Sequence, residues 1–176
     1  MLGKSSSVQP MFQKGQPWTK FLLGFLIFCQ SGNLGILNAF PPNAPITLNP
    51  GLAIIQTPDE STIYAEIADT PQKRSQGLMF RTHMAPDHGM LFTFSEPDRH
   101  TFWMKNTKMP LDMLWLDQKG KILHIEQNVP ICERTDNLCP RYRSPIPAYS
   151  VLELKAGQIE KFHLKKGHQL IIQLPN

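Results

Sequence analysis

Four polar side chains stand out for where they sit. Asp112 interrupts the apolar run LDMLWLD (111–117), Arg81 follows LMF, and Lys105 and Asn106 follow FWM. In an extended strand alternate side chains share a face, so Leu111, Met113 and Trp115 fall on one side and Asp112, Leu114 and Leu116 on the other. A carboxylate on an apolar face needs a cation or several donors, because an unpaired buried charge is costly enough that the group would take up a proton instead. Arg81 and Lys105 are its natural partners. Two accounts are open: a core salt bridge or turn-capping Asp after Pro110, or a pocket in which Arg81, Lys105, Asn106 and Asp112 hold a small anionic or saccharide ligand.

Other chemistries are weaker. Asp112 with Glu126 or a histidine could perform acid–base hydrolysis, yet the chain has no G-x-S-x-G, H-E-x-x-H or P-loop, which leans against an enzyme. Met79, His83, Met84, His88, Met90, His100, Met104, Met109 and Met113 crowd one stretch, and thioether with imidazole suits copper. Met79, Met90, Met104 and Met113, however, fall where the strand pattern needs core residues, and methionine is a common gap-filler. That leaves His83, His88 and Met84 as a metal alternative that is not favoured, and no cofactor is expected. Cys132 and Cys139, in ICERTDNLCP, lack the close spacing of a zinc or thioredoxin-like pair. In an exported chain they read as a disulfide.

These side chains need elements to hold them. GLAIIQ (51–56), STIYAEIAD (61–69), GMLFTF (89–94), TFWM (101–104), SVLELKAG (150–157) and HQLIIQL (168–174) read as strands. LDMLWLD and KILHIEQ (121–127) flank a turn at DQKG and form the clearest hairpin. Thr70-Pro71 predicts a short helix, capped by Thr70 and ended by Gly77. QIEKF (158–162) is a second short helix or turn, and residues 128–147 read as a loop. The expected architecture is mainly β (α+β): a compact antiparallel barrel- or sandwich-like domain over residues 51–176 with one or two short helices.

Ahead of it, Lys4, Lys14 and Lys20 precede FLLGFLIFC (21–29) and then small and polar residues, the layout of a signal peptide over residues 1–40. The unbroken apolar run is shorter than the roughly 20 residues of a comfortable membrane span, so an N-terminal anchor is the second choice. Cleavage near Ala39 or Ser31 fits. Cys29, after the bulky Phe28, belongs to the apolar region and does not read as an acylation site. PPNAPITLNP (41–50) is a proline-punctuated linker.

The 176 residues allow one domain plus a tail. With 41% hydrophobic and 18% charged residues, 16 prolines and 11 glycines, the chain is too apolar for disorder and too turn-rich for a helical bundle. A net charge of +4, spread over dispersed residues, gives no nucleic-acid footprint.

RSQGLMFR, GMLFTF, TFWMKNTKMPLDMLWLD and SVLELKAG, in this order, make residues 60–173 resemble the small, mostly exported prokaryotic family called domain of unknown function 192. The resemblance implies a compact β-rich domain, often behind a signal peptide, with no settled activity. The expected role is an exported cell-envelope binding or accessory domain, periplasmic, secreted or membrane-anchored. Its partner is a small ligand or an envelope protein, and it meets the membrane only through the N-terminal segment.

Overall fold

The computed structural model describes residues 51–175 apart from positions 135 and 137. The expected signal segment (1–40) and linker (41–50) lie outside the described residues. Among those described, no helix is long and apolar enough to cross a membrane.

The chain runs β1 (Leu52–Gln56), β2 (Thr62–Ala68), α1 (Pro71–Gln76), β3 (His88–Asp98), β4 (Thr101–Trp103), β5 (Leu111–Leu116), β6 (Ile122–Val129), β7 (Arg141–Arg143), β8 (Ala148–Lys155), α2 (Gln158–Lys161) and β9 (Ile171–Gln173). Seven strands form one sheet in the order β6-β5-β8-β3-β2-β1-β9, and β4 pairs with β7 in a second, two-stranded sheet.

The expectation of a wholly antiparallel system needs correction: β2 and β3 are parallel, with Ala65 opposite Gly89. A parallel pair requires a crossover of a dozen or more residues, and α1 with the segment after it supplies one. The sheet is therefore mixed. Backbone bonds from Ile122 N–H to the His168 carbonyl (2.9 Å) and from Leu170 N–H to the Gly120 carbonyl (3.0 Å) tie the start of β6 to the approach to β9. They make no continuous ladder, so the sheet curls without closing into a barrel and the fold is sandwich-like.

β7 falls inside the stretch expected to be loop. RYR is too short and too polar to carry an apolar alternation, and it becomes a strand only because β4 offers a partner, Phe102 opposite Tyr142.

Local signals elsewhere act as expected. The Thr70 hydroxyl accepts from Lys73 N–H at 3.2 Å, Pro71 takes the first helical position, and Gly77 ends α1 with φ of 47°. At the β5–β6 turn Asp117 accepts from the N–H groups of Lys119 (2.8 Å) and Lys121 (2.9 Å), a side-chain turn device of the Asx type.

The sheet buries both faces. One carries Ile55, Ile63, Leu91, Leu114, Leu116, Leu152 and Leu154 against Ile159, Phe162 and Leu164 of the α2 region; the other carries Met90, Phe92, Leu111, Met113, Trp115 and Val151 against Leu78, Met84, Met104 and Met109. All six residues of β5 are buried, which explains why its sequence reads as an apolar run. Cys132 and Cys139 form a disulfide.

Candidate functional site

The four polar residues singled out in the sequence do not converge. Arg81 donates two hydrogen bonds to the Glu66 carboxylate, one of them 2.6 Å, and this pairing holds Glu66 below the usual carboxylate range. Asp112, 1% exposed, meets neither Arg81 nor Lys105. Its Oδ1 accepts from Asn128 N–H at 2.8 Å and its Oδ2 from Ile159 N–H at 3.0 Å. Charge-assisted bonds of this kind satisfy a buried carboxylate without a cation. Asp112 thereby clamps the end of β6 and the start of α2 onto β5, an anchoring role.

The hydrolytic pairing of Asp112 with Glu126 fails on geometry. Glu126 lies opposite Met113 on β6, while Asp112 lies opposite Leu154 on β8, so the two acids occupy opposite faces of the sheet. Glu126 instead bonds His124 at 2.9 Å. Of the copper candidates, Met84, Met90, Met104, Met109 and Met113 are core residues. His88 contacts Asp87 at 2.8 Å, and His83 is exposed beside the buried Met84.

Lys105 and Asn106 do reach a cavity. A cleft of about 910 Å³ opens between α1, the edge of β3 and β4. Its walls are Phe92, Phe94, Phe102 and Trp103; Arg74, Lys105, Gln76 and Asn106 supply charge and hydrogen-bonding groups. The cations are held against the aromatic walls: Lys105 Nζ lies 5.2 Å from the centre of the Trp103 ring, Arg141 Cζ 5.0 Å from the same centre, and Arg74 Cζ 5.1 Å from that of Phe94. Such contacts attract through the ring quadrupole. Arg74 is fixed further by donating to the carbonyls of Asp69 (2.8 Å) and Thr93 (2.9 Å).

His100 forms another part of the wall. Its ring stacks on Phe94 with centroids 3.4 Å apart, its Nε2 is buried without a hydrogen-bond partner, and desolvation holds its pKa below the ordinary value. The backbone is strained here too: Phe80, 66% exposed, has φ of 64° and Asn106 has φ of 58°, joined by Phe80 N–H donating to the Asn106 carbonyl at 2.8 Å. Asn tolerates this left-handed conformation, whereas Phe adopts it only where the surroundings compel it.

Sequence reasoning missed the group at the floor. Glu153 of β8 is 4% exposed and lines a small cavity of about 40 Å³ that shares Arg74, Phe92, Phe102, Trp103 and Lys105 with the main cleft. It sits between Met90 of β3 and Met113 of β5 across the sheet. Burial raises its pKa to about 8, with no hydrogen bond or charge opposing it. The available signal was SVLELK, where a lone acid shares a strand face with Val151 just as Asp112 shares one with Leu114 and Leu116.

The family model for DUF192, described as Uncharacterized ACR, matches residues 53–172. The chain belongs to this family. Two solved structures are similar at a TM-score of 0.60. A candidate transcription regulator from Sinorhizobium meliloti 1021 is 40% identical, over 69% of this chain and 92% of that one. A protein of unknown function from Novosphingobium aromaticivorans DSM 12444 is 27% identical, over 76% and 93%. Comparison with curated proteins gives no match.

Proposed function

We propose that this DUF192 domain binds a small ligand in the cleft between α1 and β4, as an exported accessory protein of the cell envelope. The observation that carries the reading is the cleft's make-up. Its volume of about 910 Å³ lies within the roughly 300–1,000 Å³ of small-molecule sites, which combine mostly apolar walls with a few placed polar groups. Aromatic rings suit a planar or saccharide ring, and Lys105, Arg74 and Asn106 at the rim suit an anionic or hydroxylated substituent. The Cys132–Cys139 disulfide supports an oxidising compartment, and the signal-like residues 1–40 support export.

Native mass spectrometry of the protein recovered from an oxidising compartment tests the reading, followed by NMR titration with N-acetylglucosamine, glucose 6-phosphate and 4-hydroxybenzoate. A retained small molecule, or amide shifts confined to the cleft, should weaken at least tenfold in folded Lys105→Glu and Trp103→Ala variants. A bare chain whose cleft resonances respond to none of the three would overturn a small ligand in favour of an envelope protein partner.

A further inference from the structure

A carboxyl group buried without a partner is expensive, and natural folds seldom keep one. Glu153 is 4% exposed, forms no ion pair among the described residues, and does not point into sealed core: it lines a cavity whose wall is largely the wall of the main cleft. We propose that Glu153 is the recognition acid of this cleft, a neutral carboxyl that donates its proton in a hydrogen bond to an uncharged carbonyl or hydroxyl oxygen of the ligand. The inference rests on reading the cleft as a ligand site and adds the chemistry of the ligand's buried end.

The surroundings select that chemistry. The charged groups on the cavity wall are Arg74 from α1 and Lys105 after β4, and neither contributes to the carboxyl's titration. The flanking strands present the uncharged Met90 and Met113. The rest of the lining, Ser75 to Met79 with Phe92, Phe102, Trp103 and Thr107, is uncharged, and desolvation dominates the titration of Glu153. A cationic ligand end would have to pass Arg74 and Lys105, and an anionic end would meet a low-dielectric floor. An uncharged oxygen meets neither obstacle. The cavity of about 40 Å³ has room for one or two non-hydrogen atoms on the scale of about 30 Å³ per liquid water, the size of a terminal C=O or C–OH.

A water-soluble diazoacetamide tests whether the acid is protonated and reachable, because it esterifies carboxylic acids and spares carboxylates. The acid proton moves to the diazo carbon, the carboxylate oxygen bonds to that carbon, and dinitrogen leaves with the C–N electron pair. At pH 6.5 an ordinary glutamic acid is about 1% protonated, so Glu153 should be labelled at least tenfold faster than any other carboxyl. Its own labelling rate should fall about tenfold between pH 6.5 and pH 9, as the acid ionises, and no label should appear at this position in Glu153→Gln.

Carbon-13 NMR of the side-chain carboxyls supplies the second readout, with acetone as the probe because it accepts hydrogen bonds and donates none. Acetone should shift the Glu153 carboxyl resonance at pH 6.5 and leave it unmoved at pH 10. Titration of that resonance in the ordinary range near pH 4–5 would overturn the neutral acid. Titration near 8 without labelling would overturn its access from the cleft, and absence of an acetone shift would overturn the recognition role. Acetone has neither ring nor charge, so failure of the wider ligand reading leaves these signals in place.

Discussion

Replacing Glu153 by Gln should stabilise the protein, and by an amount that depends on pH. Burial raises the folded-state pKa from 4.5 to about 8, so the folded protein keeps its proton where the unfolded chain releases it. Below about pH 4.5 both states are protonated and the acid imposes no ionisation penalty. As pH rises, the unfolded state gains stability at about 1.4 kcal/mol per pH unit until the folded carboxyl also ionises. The penalty is about 3 kcal/mol at pH 7 and levels off near 5 kcal/mol above pH 8. Glutamine has nearly the same shape and cannot ionise. Urea denaturation at pH 5, 7 and 9, with the disulfide intact, should therefore show Glu153→Gln gaining less than 1 kcal/mol over wild type at pH 5, about 3 at pH 7 and the most at pH 9. A difference that is flat across this range, or that grows toward acid, would refute the reasoning, since it would mean that Glu153 ionises in the fold as easily as in the unfolded chain.

Two further substitutions probe stability away from the cleft. Asp112→Ala removes the acceptor of two buried backbone N–H groups, those of Asn128 and Ile159, and should cost about 2–4 kcal/mol; chemical denaturation checks the cost, and amide hydrogen exchange should rise first in α2 and at the end of β6. Reducing the Cys132–Cys139 bridge, which joins residues 7 apart, should cost about 2–3 kcal/mol on the chain-entropy model, read as a lower urea midpoint in dithiothreitol that is absent in a Cys132→Ser/Cys139→Ser variant.

Most of the fold was legible because its signals are local. Thr70, Pro71 and Gly77 delimit α1 through their own backbone preferences, the Asp117 turn sets the β5–β6 hairpin, and alternation in LDMLWL divides the side chains between two faces as observed. The parallel β2–β3 pair and β7 were not legible, since each depends on a distant partner: the crossover that returns β3 beside β2, and β4 for RYR. Within the site, Lys105, Asn106 and Trp103 stand out by following or interrupting apolar residues. Arg81 shares that signal and goes elsewhere, because Glu66, 15 residues upstream, is a nearer carboxylate than Asp112. Arg74 sits in the polar run of an exposed helix, and nothing in PQKRSQ distinguishes the residue whose side chain turns in toward Phe94.

The two buried acids carry this lesson furthest. LDMLWL and VLELK each place one carboxyl among apolar residues on adjacent strands, and the pairing of Asp112 with Leu154 and of Met113 with Glu153 turns the two to opposite faces. On one face the end of β6 and the start of α2 deliver two N–H donors to Asp112. On the other, the methionines beside Glu153 and the cavity above it deliver none. Sequence patterns of the same kind thus yield an anchor and an uncompensated acid, and the difference comes from segments 16 and 47 residues away from Asp112. Neutralising each acid separates the roles: Asp112→Asn weakens charge-assisted bonds and should destabilise, whereas Glu153→Gln relieves an ionisation penalty and should stabilise. A fold that keeps a group whose neutral isostere is more stable has given up stability at that position, and such losses concentrate where a site needs a group its surroundings do not satisfy. By that argument a stabilising Glu153→Gln would mark the cavity beside the cleft as the place to look for a ligand.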